Sequence, residues 1–215
     1  MQLANLTFNW FDLVAAGALV LGAVVGRKKG LSEELLPLFQ WLAVVVVGAL
    51  YYEPIGRFLA GYTQLSLLVA YVLSYIAIIG FHMLLFNFVK RAVGDKLVSS
   101  DVFGRYEYLF GIGAGFLKAA ALILVFLALM NSKFVDPEHV AAVAKSQKEN
   151  FGSISFPTFG TVQNAVLRES YVGQFVGRQF NDQLIKATDP GDQLVYRQSL
   201  GSRREEAVQK VVDGQ

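Results

Sequence analysis

Between Gly111 and Met130 the chain reads GIGAGFLKAAALILVFLALM, 20 residues with a single charged side chain, Lys118. A run of about 20 mostly apolar residues is what a helix needs to cross a bilayer. Three more apolar runs precede it, at about residues 10–25, 35–52 and 64–88. Most of these are apolar on all faces, which suits lipid or a bundle interior better than a one-sided soluble helix. The charged fraction is 17%, well under the share of about 25% usual in soluble domains. Apolar residues thin out after Asn131. The sequence therefore predicts an all-α polytopic membrane protein: four transmembrane helices in residues 1–130 and a helical polar C-terminal tail in residues 131–215.

The connections are GRKKGLSEE after the first run, YEPIGRFLAGYT after the second and KRAVGDKLVSSDVFGR after the third. Pro54 and Gly56 are expected to end the second helix. Arg27, Lys28 and Lys29 mark the first connection, and Lys90, Arg91, Lys96 and Arg105 the third. The second has only Arg57. Short-loop basic residues favour the cytoplasmic side, so both termini and the tail are expected outside. The N-terminus has no basic residue ahead of its apolar run; it is read as a retained span and not as a cleaved signal.

In the tail, Asp136-Pro137-Glu138 predicts a helix start with an Asp cap, running to about Lys148. Apolar residues at Val162, Val166, Val172, Val176, Phe180 and Leu184 predict an amphipathic helix over 161–187. Its surface is the membrane interface, the bundle end or another subunit. Ser202 to Glu205 has the form of a capping box.

The charge in the fourth run needs an explanation. Glu107, Gly111, Gly115 and Lys118 are spaced 4, 4 and 3, so they share one helix face. The glycines form a G-x-x-x-G surface for close helix packing. A lysine on that face requires a partner, an aqueous cavity or a route to the interface. Asp12, at the start of the first run beside a small-residue face that includes Gly22 and Gly26, is one candidate. The plainer reading is that Asp12 caps its own helix and Lys118 snorkels. The segment from Arg27 to Glu34 reads as a solvated loop, with an Arg27 or Lys28 pair to Glu107 as the sharper option. His82 reads as a hydrogen-bonded histidine within the bundle.

Zero cysteines exclude disulfides, thiol catalysis and Cys-based metal sites. A net charge of +2 gives no case for nucleic acid. No zinc-protease, nucleophile-elbow or phosphate-loop motif is present. The expectation is a non-enzyme without cofactor or metal. Its partners are membrane lipids and, through the tail, a second copy or an envelope or secretion protein.

NWFDL opening the first run, GRKKGLSEEL after it and YEYLFGIGAGFLKA entering the fourth resemble the colicin V production protein family. Asn9, Asp12, Gly26, Arg27, Gly30 and Glu34 match its first motif, and Gly111, Gly115 and Lys118 its second. Glu107 stands where Asp is usual and Ala119 where Gly is usual. The resemblance covers about Asn9 to Met130. It implies a bacterial inner-membrane protein required for production or export of a peptide toxin, with wider roles in envelope homeostasis and no established enzymatic activity. The candidate polar face is thus Asn9, Asp12, Arg27, Glu34, Glu107 and Lys118, and the candidate packing glycines are Gly22, Gly26, Gly111 and Gly115. Some relatives carry a fused trypsin-like protease; the tail here has no Ser/His/Asp set, so that activity is not carried over. A channel or transporter using Lys118 and Asp12 is the alternative function.

Overall fold

A computed structural model describes residues 8–63, 65–98, 104–151 and 156–192. Three helices in it are long and apolar enough to cross a membrane: α1, Trp10–Thr63; α2, Leu67–Val98; and α3, Glu107–Asn131. The tail holds α4, Pro137–Phe151; α5, Phe159–Asn164; and α6, Tyr171–Gln179. Among the described residues there is no strand, only an isolated parallel bridge between Lys133 and Thr188.

Helix α1 is two arms joined at Gly30, where φ is 79° and ψ 171°. That left-handed conformation favours glycine. The arms fold back on one another. The amide of Ser32, just past the joint, donates to Glu107 at the start of α3. Asn9, at the far end of the first arm, and Tyr52, part-way along the second, both hydrogen-bond to the tail, at Ala165 and Lys186. The expected loop over residues 26–34 is thus corrected to a one-residue reversal. Backbone groups in an apolar setting must pair internally, and helix does this best.

The expected break at Pro54 is also corrected, because the helix continues to Thr63. Tyr52, Gly56 and Ala60 form a buried stripe, and a Cβ on Gly56 would press into the Tyr71 ring. Docking α2 on this stripe outweighs the one backbone bond that proline forfeits. Tyr75 covers Gly48 in the same way, and the Tyr52 and Tyr71 rings meet edge to face with centroids 5.5 Å apart. Helix α2 therefore runs antiparallel to the second arm. It extends to Val98, past the expected end at Phe88.

The tail closes the end of the bundle opposite Gly30. Asp136 Oδ1 accepts from the Glu138 amide as α4 begins. The expected single helix over 161–187 is corrected to α5, a π turn at Ala165–Glu169 and α6. The break falls at Ser170, which turns extended; its Oγ accepts from Gly173 and donates to the Val166 carbonyl. Splitting the helix lets Val166, Val176, Leu184 and Ile185 all enter one core with Phe11, Val125, Leu127 and Ala128. The capping box at Ser202 lies outside the described residues.

Candidate functional site

The first arm and α3 cross with almost nothing between their backbones. Gly22 and Gly26 face Gly115 and Gly111. A Cβ on Gly26 would lie 2.9 Å from the Gly115 Cα, and one on Gly115 would lie 2.9 Å from the Gly26 Cα. Only hydrogens fit there, the arrangement that small-x-x-x-small faces provide in membranes. Gly30 belongs to the same seam: a Cβ there would meet Glu107 Oε1 at 2.6 Å.

This close approach, with the reversal at Gly30, assembles a polar centre. Lys118 Nζ donates to Glu34 Oε2, and Lys29 Nζ lies 3.6 Å from Glu34 Oε1. The Glu34 side chain is 0% exposed and that of Lys118 16%. Lys118 thus extends toward the Gly30 end and not toward Asp12: the candidate pair with Asp12 is not formed, and the plainer reading holds for Asp12 as a cap but not for Lys118, which meets Glu34. Asp12 sits at the other end of the first arm. Glu107 Oε1 takes the Ser32 amide at 2.7 Å. Among the described residues no salt bridge joins Arg27 or Lys28 to Glu107, and the solvated-loop reading fails for Glu34. Sequence reasoning missed Lys29 and Ser32 as members of this centre. The signal was the spacing of four from Gly26 to Gly30 to Glu34, which continues the packed face through the presumed loop. Buried oxygens Glu34 Oε1 and Glu107 Oε2 have no hydrogen-bond donor among the described residues. The centre is the Glu34 carboxylate, held by the mostly buried Lys118 and the half-exposed Lys29 ammoniums, with Glu107 beside it on the Ser32 amide.

A second polar constellation lies at the tail end. Asp12 Oδ2 accepts from the amides of Asn9 (2.9 Å) and Tyr171 (3.0 Å), and Oδ1 from that of Val172 (2.9 Å). The bond to Asn9 is the reciprocal half of a capping box on α1. The other two satisfy orphan amides at the start of α6, where a negative charge also suits the helix dipole. Asn9 Nδ2 donates to the Ala165 carbonyl at 3.0 Å. Asn9 and Asp12 together therefore clamp the tail onto the first arm. Asp12→Ala should cost about 1.5–3 kcal/mol, the range for hydrogen bonds to a charged group. Amide hydrogen exchange over residues 171–179 should accelerate while that of α3 stays unchanged. Equal acceleration in both would show global destabilisation instead of an undocked tail.

Further staples hold the tail to the other helices. Gln163 Nε2 donates to the Met130 and Lys133 carbonyls, and Asn131 Nδ2 to that of Ile185. Lys186 Nζ donates to Glu53 Oε2 at 2.7 Å. This carboxylate holds the Lys186 ammonium above its ordinary range. A raised lysine stabilises below its ordinary value, and the contribution is lost as pH climbs through the folded one. His82 Nδ1 donates to the Ile78 carbonyl one turn back. Among the described residues no group of three acidic, His or Cys side chains could hold a metal.

A family model described as "Colicin V production protein" matches residues 11–179. The match takes in the tail through α6, beyond the Met130 limit of the motif resemblance. Neither a curated protein nor a solved structure matches the chain.

Proposed function

The chain belongs to the colicin V production protein family, and on that footing we propose that it is a bacterial inner-membrane accessory or scaffold protein. It crosses the membrane four times, the two arms of α1 each crossing once. It serves toxin production or export and envelope homeostasis by holding a preformed tail surface for partner proteins outside the cytoplasm. It performs no catalysis of its own.

The observation that supports this best is how the intramembrane charges are used. Asp12 is spent on tail amides and Glu34 on Lys118. Both constellations hold elements together. A conduction path through Lys118 and Asp12 draws less support, because the two side chains serve different partners at opposite ends of the first arm. In proteoliposomes we expect no ion or proton leak above empty vesicles. A leak abolished by Lys118→Met would overturn the scaffold reading.

The orientation rests on Arg27, Lys28 and Lys29 at the α1 reversal and on Lys90, Arg91, Lys96 and Arg105 at the same end. A periplasm-dependent reporter fused after Gln215 should be active. Activity of a cytoplasm-only reporter at that position would reverse the assignment.

A further inference from the structure

Helix α6 does not stand on the bundle; it lies across it. Its N-terminus is tied to Asp12, two residues into the first arm. The segment just after it, Asn181 to Lys186, lines a cleft with Ala49, Tyr52 and Glu53 of the second arm. The first arm begins at that level and the second, which runs on to Thr63, passes through it, so α6 bridges two membrane-crossing helices at one depth. Gly173 and Val176 face inward and are buried. On the other side Tyr171, Phe175 and Phe180 are all 40% or more exposed. Their rings follow one another, with centroids 6.4 Å and 6.3 Å apart.

An aromatic ladder of this size is costly in water. Its surroundings indicate a different neighbour. Phe8 and Trp10, at the mouth of the first arm, are 74% and 52% exposed, and Asp12 holds the α6 N-terminus beside them. The ladder is thus continuous with the surface that the first arm turns to lipid. Arg168, three residues before α6, and Arg178, in its last turn, are both exposed. Aromatic side chains on one face, arginines beside them and an axis across the helix ends are the features of a helix lying in the membrane interface.

We infer that α6 is an interfacial helix whose Tyr171, Phe175 and Phe180 edge sits in the outer-leaflet headgroup region, with Arg168 and Arg178 on lipid phosphates. The inference rests on the membrane-crossing reading of α1. It makes the tail clamp a device that sets the depth of α6 as well as its position.

Because the chain has no cysteine, single nitroxide labels can be placed without background. Four variants in phosphatidylethanolamine–phosphatidylglycerol proteoliposomes suffice: Phe175→Cys, Phe180→Cys, Gly177→Cys, where an added side chain meets nothing within 4 Å, and Ile76→Cys. Collision with oxygen, which concentrates in lipid, is compared with collision with a water-soluble nickel chelate. Oxygen should dominate at residues 175 and 180, the chelate at 177, and oxygen most strongly at 76. Chelate dominance at 175 and 180, with 76 in lipid, would overturn the interfacial helix alone. Low access to both agents at 175 and 180 would also overturn it, since protein would then cover the ladder. Chelate access at 76 would overturn the membrane reading beneath it. Phe175 and Phe180 are both partly exposed, so loss of either ring should leave the core intact.

Discussion

Glu34→Gln should destabilise the protein by about 3–5 kcal/mol, because it strands the Lys118 ammonium in an apolar setting. The Lys118 side chain is only 16% exposed and lines the same groove as Leu122, Ile123 and Phe126. Lys118→Met should cost less, since Glu34 keeps Lys29 at 3.6 Å. The double variant should recover most of the loss. Removing one partner of a buried pair is costly, whereas replacing both by neutral groups of similar shape is close to neutral. Thermal unfolding in a mild detergent would measure all three. Additive losses in the double variant would show that the two side chains are not coupled, and would sink the ion-pair account.

The second large effect is expected at the glycine seam. Gly115→Ala should cost roughly 1–3 kcal/mol or more, the range for forcing an extra carbon into a packed core. The added carbon would press on Gly22 and Gly26 backbone atoms, which cannot rotate away. Gly113, two residues earlier on the same helix, has nothing within 4 Å of where its Cβ would lie. Gly113→Ala should therefore be neutral or slightly stabilising, by up to about 1 kcal/mol of helix propensity. The same substitution two residues apart thus separates packing from propensity. A similar response at both positions would mean that α3 is not seated on the first arm through glycine.

What could be read from the chain, and what could not, follows from the range of the interactions. The helices are local patterns, so α3, Glu107–Asn131, is found within one residue of the span of about Tyr106 to Met130 that the apolar run and its lead-in predict. The shared face of Glu107, Gly111, Gly115 and Lys118 is also local, being a matter of helical spacing. Which residues that face meets is not local. Lys118 and Glu34 lie 84 positions apart, and Asp12 finds its donors 160 positions away at Val172. Asp12 was the nearer guess by chemistry, but depth decides, and depth depends on where the first arm turns. That turn is confined to Gly30, inside the polar stretch from Arg27 to Glu34 that reads as a longer loop and so hides which residues face inward. The continuation past Pro54 was hidden because proline's cost is local, whereas the compensating contacts with Tyr71 come from another helix. The split at Ser170 was obscured for a related reason. The apolar spacing of 161–187 reflects a buried face that two short helices share.

The seam between the first arm and α3 also sets an order of events during synthesis. The earliest helix made is the one whose packing partner is made last. With 84 residues between Glu34 and Lys118 and synthesis at about 5–20 residues per second, the wait is roughly 4–17 s. Over that interval the glycine groove of the first arm is open and Glu34 has only Lys29 nearby. The nascent hairpin is then a client for whatever shelters half-built membrane helices, and arrival of the lysine on α3 ends its dependence.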